Sequence, residues 1–249
     1  MLGLAIDSAH QRASAALWRS GRDAGSADKG AETGPSIVDS AALSPDDGKA
    51  DQLINVIERL LSRQGLDYGD LDLLAVNRGP GSFTGIRSAV ALARGLALAA
   101  GLPVLGVTSH EALMSGLARD QEGRRTLIAE DARRGEVYVQ AFDAAGVAAT
   151  PIQALAIAAA AGDVRRGAWR FAGSGAGMIA AALPADVDVH MIDIEPVDAV
   201  AVARAAARGL AEGDMPAEGF RLRPLYVRAP DAVPPTPLID PAERVEVPA

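Results

Sequence analysis

The stretch from Leu71 to Val107 constrains the fold more than any other part of the chain. Leu71–Val76 is a short apolar run, suited to a central strand buried on both faces. A loop with three glycines and a proline in the seven residues 79–85 follows it. The next residues, about 85–100, have the length of a helix closed by Gly101 and then Pro103, and Pro103–Val107 reads as another strand. Between Ile86 and Ala100 only Arg87, Ser88 and Arg94 interrupt the apolar and small residues, so the helix has almost no polar face. Such a helix must be covered on every side. Its own sheet can cover one side; the other needs either more of this chain or another protein.

The rest of the chain repeats strand and helix signals. Residues 2–8 and 12–20 read as an opening β-hairpin, with a long loop at 21–34 and a third strand near 36–43. In 50–63 the residues Leu53, Ile54, Ile57, Leu60 and Leu61 fall at helical spacing, and Val56 lies off that stripe. Further on, Arg125–Glu130 and Glu136–Phe142 form a second hairpin around Arg133-Arg134-Gly135. A helix near 151–161, a strand at 168–172, a glycine-rich turn and helix at 173–183, a strand at 187–193 and a helix at 196–212 complete the second half. Two sheet-bearing halves, each opening on a hairpin, predict a duplicated α/β architecture of mixed sheets. The expected division is an N-terminal lobe at 1–105, a C-terminal lobe at 106–228 whose 196–212 helix packs back on the first, and a flexible tail at 229–249. That tail holds six of the chain's fifteen prolines.

Composition narrows the chemistry. There are no cysteines, which removes disulfides, thiol catalysis and thiolate metal sites. The net charge of −8 argues against unaided binding to nucleic acid, whose affinity rests on phosphate contacts. The first residues lack a basic region and carry Asp7 inside a short apolar run, so they read as a strand and not a signal peptide. A cytoplasmic, soluble protein with no membrane partner is expected.

Locally, the 78–87 loop leaves two readings open. Its glycines permit close backbone approach, and amides at a helix start can hold an anion. Yet it has no lysine and the wrong spacing for a phosphate loop or dinucleotide fingerprint, and Pro80 stands where a nucleophile elbow needs glycine. A tight strand-to-helix connection explains it equally well.

Four segments, in order and spacing, resemble the bacterial TsaB family. They are Asn77-Arg78-Gly79-Pro80-Gly81-Ser82-Phe83-Thr84-Gly85-Ile86-Arg87; Ala5-Ile6-Asp7-Ser8 with Ala13–Trp18; Asp131-Ala132-Arg133-Arg134-Gly135-Glu136-Val137-Tyr138; and Arg223-Pro224-Leu225-Tyr226-Val227-Arg228. The resemblance implies the two-lobed actin/hexokinase/Hsp70-like fold. It also implies a non-catalytic scaffold for the paralogue TsaD, which threonylcarbamoylates the adenosine beside the anticodon of tRNAs reading ANN codons. TsaE joins that complex and TsaC supplies threonylcarbamoyl-adenylate; tRNA is met only through the complex. ATP and a metal ion belong to the partners, and the chain itself has no cofactor. The partner contact resembles a four-helix bundle, which places Leu53, Ile57, Leu60, Ile86, Ala89, Val90, Leu92, Ala93 and Leu96 at the interface. Alone, such proteins form homodimers through the same face.

The catalytic paralogue holds its metal with two histidines one helical turn apart, and Ser109 and Leu113 stand in those positions here. His110 reads as a lone helix-start residue, and His10 and His190 have no partner at ligand spacing. By the same resemblance, Asp7, Ser8, Asp131, Gly173 and Gly175 mark a vestigial nucleotide site. The bulky His10, Gln11 and Arg12 beside Ser8 do not suit phosphate. Lys49 stands near the place where the family commonly has a histidine. The alternative function is an autonomous kinase or carbamoyl transferase of the same fold, with Asp7 or Asp131 as its carboxylate.

Overall fold

A computed structural model describes residues 1–10, 12–20, 35–43, 52–118, 120–164 and 167–228. The expected 21–34 loop, Lys49 and the 229–249 tail lie outside the described residues.

The first sheet is built from β1 (Leu2–Asp7), β2 (Ser14–Arg19), β3 (Ser36–Ala42), β4 (Leu73–Asn77) and β5 (Pro103–Val107). Strands β1, β2 and β3 form an antiparallel meander, while β4 and β5 run parallel to β1 on its other side. The second sheet has the same plan. Strands β6 (Arg125–Arg133), β7 (Glu136–Phe142) and β8 (Gln153–Ala156) form the meander, and β9 (Trp169–Ala172) and β10 (Val189–Ile192) add in parallel beside β6. The spatial orders β3-β2-β1-β4-β5 and β8-β7-β6-β9-β10 are therefore equivalent, and a short β11 (Ala217–Glu218) extends the first sheet beyond β5. This is the duplicated, two-lobed mixed-sheet fold expected from the sequence.

The continuous apolar strands follow from burial on both faces. Leu2, Leu4 and Ile6 of β1, Leu17 of β2 and Leu74 and Val76 of β4 face α1 (Leu53–Arg63) and α2 (Phe83–Ala100). The alternate residues Ala5, Ala16, Trp18, Leu73 and Ala75 face α3 (Ser109–Ser115) and α6 (Ala199–Glu212). Helices α3 and α6 thus belong to the core of the first sheet, although α3 lies past the expected lobe boundary at 105 and α6 follows the second sheet in sequence. Gly3 makes room for the fully buried Trp18, because a Cβ there would fall inside the indole. A capping box at Thr108 and Glu111 starts α3, and Asp198 caps α6 through a 2.9 Å hydrogen bond from the Ala201 amide.

Three expectations need correction. The helix read near 151–161 is confined to α4 (Ile157–Asp163), and the residues before it form strand β8. Alanine-rich sequence favours helix locally, but pairing of Val137 with Leu155 and Tyr138 with Ala154 fixes the segment as the sheet's edge. The helix in 173–183 contracts to α5 (Ala176–Ala180). Strand β6 runs on to Arg133, three residues beyond the expected Glu130, before its turn.

The burial of α1 is one-sided: Leu53, Val56, Ile57, Leu60 and Leu61 are buried, while Asn55, Glu58, Arg59 and Ser62 form a polar outer face. Helix α2 differs. Its buried stripe is Gly85, Ile86, Ala89, Val90, Ala93 and Ala97, and its opposite side is exposed and still largely apolar. By length and composition α2 is apolar enough to cross a membrane, with a mean hydropathy of 1.2, yet it lies along β4, β1 and β5 as a layer of this domain.

Candidate functional site

The loop between β4 and α2 is held by the chain's own backbone. Asn77, buried at the end of β4, donates from Nδ2 to Asp7 Oδ1 at 2.8 Å and accepts from the Gly79 amide at 2.9 Å. The Ser109 hydroxyl donates to the Pro80 carbonyl at 2.6 Å. The Ser82 amide donates to the Ala9 carbonyl at 2.7 Å, and the Ser82 side chain caps α2 by accepting from the Gly85 amide at 3.3 Å. The glycines let these segments meet. A Cβ on Gly81 would stand 2.5 Å from the Ala9 carbonyl oxygen, and one on Gly85 would fall inside the carbonyl of Ser8. Gly79 also has φ of 107°, where only glycine is unstrained. The close approach permitted by this loop is therefore to the turn after β1. The loop thus forms the tight strand-to-helix connection that one of the two local readings expects.

Around this connection, the loop's side chains assemble an exposed cluster. The Arg87 guanidinium lies 3.6 Å from the Phe83 ring centroid and donates from Nε to Tyr226 Oη at 2.8 Å; the two rings are 5.8 Å apart. Tyr226 is brought there because the Leu225 amide donates to the Arg78 carbonyl at 2.8 Å. Phe83 and Tyr226 remain 54% and 51% exposed, and Thr84 is exposed beside them. Continuing along α2, the outer stripe is Arg87, Ala91, Arg94, Gly95, Leu98 and Ala99, with Leu98 87% exposed.

This placement revises the expected interface list. Leu53, Ile57, Leu60, Ile86, Ala89, Val90 and Ala93 are buried in this chain's own core, and Leu92 and Leu96 are half-buried at the edge of it. On a helix apolar all round, hydrophobicity does not tell the inner side from the outer. The signal that could have told them apart is charge: Arg87 and Arg94, seven residues apart, both stand on the outer stripe, while small residues occur on both sides.

Between the two lobes lies a cleft of about 720 Å³. Its walls include Ala9, His10, Gly81 and Ser82 from the first lobe, and Glu130, Asp131, Tyr138, Gly173 and Ser174 from the second. The residues expected as a vestigial nucleotide site are only partly gathered here. Asp7 is fully buried behind His10, its Oδ1 taken up by Asn77 and the Ala9 amide, and Ser8 is buried too. Asp131 reaches the cleft, where it accepts from the Arg133 amide at 2.8 Å and faces the Arg133 guanidinium at 3.3 Å. The Gly175 amide donates to the Ala129 carbonyl at 2.9 Å, and a Cβ on Gly175 would come within 3.0 Å of the Glu130 backbone. The glycine-rich turn is thus packed against β6.

Sequence reasoning missed the centre of this cleft. His110 is not alone and His10 is not without a partner, because both reach Glu130. His10 Nε2 is 2.8 Å from Glu130 Oε1, and His110 Nε2 is 3.4 Å from Glu130 Oε2. Burial would lower the basicity of His10, but the carboxylates of Asp7 and Glu130 outweigh it and raise the pKa to about 10. Burial would likewise raise Glu130, and the two imidazoles instead hold it down at about 2. The three residues lie 100 to 120 apart in sequence around Glu130 except for the pair of 110 and 130, so no spacing motif announces them. Among the described residues no group of three or more such side chains is placed to hold a metal ion.

Comparison with known proteins agrees with this architecture. The family model described as TsaD, tRNA N6-adenosine threonylcarbamoyltransferase, matches residues 48–163. The tRNA threonylcarbamoyladenosine biosynthesis protein TsaB of Escherichia coli is 36% identical over 135 residues, which cover 54% of this chain and 52% of that protein. The match thus spans about half the length of that relative. An uncharacterized protein of Mycobacterium tuberculosis is 34% identical over 187 residues, covering 74% of this chain and 77% of its own. Among solved structures, a Pseudomonas aeruginosa protein described as similar to the peptidase YeaZ superposes with a TM-score of 0.71 at 25% identity, over 91% of this chain and 99% of that one. A second Pseudomonas aeruginosa structure, YeaZ itself, gives a TM-score of 0.68. With the signature loop, the equivalent mixed sheets and these relatives in agreement, the chain is similar to TsaB proteins and shares the fold of the YeaZ structures.

Proposed function

We propose that this chain is a non-catalytic subunit that binds TsaD, together with TsaE, for threonylcarbamoylation of the adenosine beside the anticodon. The observation that carries this reading is the outer stripe of α2. It carries Leu98 and the small residues Ala91, Gly95 and Ala99, which admit a close second helix, flanked by Arg87 and Arg94, and among the described residues it is left exposed. At its N-terminal end the Phe83–Arg87–Tyr226 cluster adds stacked aromatic surface of the kind enriched at interfaces. The same stripe serves a homodimer when TsaD is absent.

The alternative, an autonomous kinase or carbamoyl transferase, requires a carboxylate presented beside phosphate-binding turns. Asp7 is turned away behind His10, and the glycines of both turns are occupied by the chain's own backbone. ATP and a metal ion are accordingly assigned to the partner subunits, and TsaC to the supply of threonylcarbamoyl-adenylate. Since the chain is acidic, tRNA is reached through the complex.

The test is capture of the tagged protein from its native cytoplasm with identification of co-purifying chains by mass spectrometry. TsaD and TsaE are expected in stoichiometric yield. Recovery of neither, with the chain itself intact, would reject the scaffold reading.

A further inference from the structure

Neither the docking stripe nor the signature loop uses three ionisable groups at and beneath the floor of the cleft. Glu130 projects from β6 of the second lobe and ends between two imidazoles of the first. One is His10 in the turn after β1; the other is His110 in the first turn of α3. The side chains of His10, Glu130 and His110 are 16%, 11% and 0% exposed. Asp7 Oδ1 lies 3.8 Å behind His10 Nδ1, close enough to act through its charge. A carboxylate taken this far from water is costly unless opposite charge and hydrogen bonds meet it. Here both are supplied across the lobe boundary.

The surroundings show what this carboxylate replaces. The outer cleft carries Asp131, Asp193 and Glu195, and the charge of Arg133 is engaged by Asp131. His10 is therefore the place where a ligand anion in the cleft would find a cation, and Glu130 already holds it, with the buried His110 ring behind.

We infer that Glu130 is a resident anion: a tethered carboxylate of one lobe that fills an imidazole-lined carboxylate niche in the other, latching the lobes together and closing the cleft to anionic ligands. The niche suits a small carboxylate: His10 Nε2 hydrogen-bonds one oxygen at 2.8 Å, and His110 Nε2 stands 3.4 Å from the other. The latch gives the molecule a fixed lobe angle without bound nucleotide, and so a fixed relation between the second lobe and the loop that aims α2.

Two variants test it. Glu130→Ala leaves the niche empty, and millimolar acetate is expected to enter it. The variant should melt below the parent protein, and acetate should raise its melting temperature progressively, while chloride at equal ionic strength does not and the parent protein ignores both. Glu130→Gln keeps the shape and removes the charge. In that variant the His10 ring, followed by NMR, should lose its titration near 10 and return toward the ordinary histidine range. Amide exchange across 125–142 should rise about tenfold as lobe opening becomes easier. Acetate-insensitive melting of Glu130→Ala would overturn the inference. So would Glu130→Gln with parental exchange and an unchanged His10 titration, a readout that serves even if the alanine variant does not fold.

Discussion

Gly85→Ala will destabilise the protein by about 3 kcal/mol, a large share of the stability of any single domain. The position is in the first turn of α2, where alanine is ordinarily better than glycine by up to about 1 kcal/mol. Here the new methyl group would occupy the space of the Ser8 carbonyl, and that contact is with backbone, which cannot swing aside as a side chain can. To admit it, α2 must lift from the turn after β1, breaking the bond from the Ser82 amide to Ala9 and loosening Ile86 and Ala89 from the core. Urea denaturation of the purified variant measures the loss. Gly95→Ala supplies the contrast. No atom lies within 4 Å of a Cβ there, so the fold should be unchanged or slightly stabilised. Equal effects at the two positions would show that helix propensity, and not the Ser8 contact, sets the requirement for glycine.

Leu98→Asp is expected to leave the fold intact and abolish association. Leu98 is 87% exposed on the outer stripe, so a charge there remains in water in the isolated chain, and its cost is within about 0.5 kcal/mol. In a complex the same carboxylate would be buried against a partner helix without a counter-ion, costing several kcal/mol, or at least a hundredfold in affinity. Leu92 and Leu96, more obvious choices from the sequence, are poorer probes. Both are half-buried against this chain's own core, so aspartate there would disturb folding and binding together. Calorimetric titration of TsaD with Leu98→Asp, alongside its melting temperature, separates the two effects. Parental affinity would place the contact elsewhere on the surface.

The glycines at 79, 81 and 85 announce close approach in the sequence, and close approach is what they provide. What Gly81 and Gly85 approach is invisible there, because Ser8 and Ala9 lie more than 70 residues away; Gly79 meets Ile86 and the Leu225 carbonyl. A ligand and the chain's own turn leave the same mark. The sheets were legible for a different reason: β1, β2, β4, β6 and β9 are covered on both faces, so apolar runs and hairpin turns mark them. Strand β8 escaped because its alanines pair at an edge, where partner backbone decides and propensity does not. The direction of α2 was legible, but its roll was not read; hydrophobicity alone carries no phase there, and only Arg87 and Arg94 mark the outer side. His10, Glu130 and His110 were least legible of all. Each is unremarkable in its own segment, and only the apposition of two lobes makes them one group.

The central claim, that this chain acts by binding and not by catalysis, meets its most direct test in a reconstituted reaction. Purified TsaD, TsaE and TsaC are combined with unmodified tRNA, ATP, threonine and bicarbonate, and threonylcarbamoyladenosine is quantified by mass spectrometry of digested nucleosides. Modification should depend on adding this chain, be absent with the chain alone, and fail with Leu98→Asp. Modified nucleoside formed by the chain without TsaD, or full modification in the mixture that omits the chain, would contradict the claim.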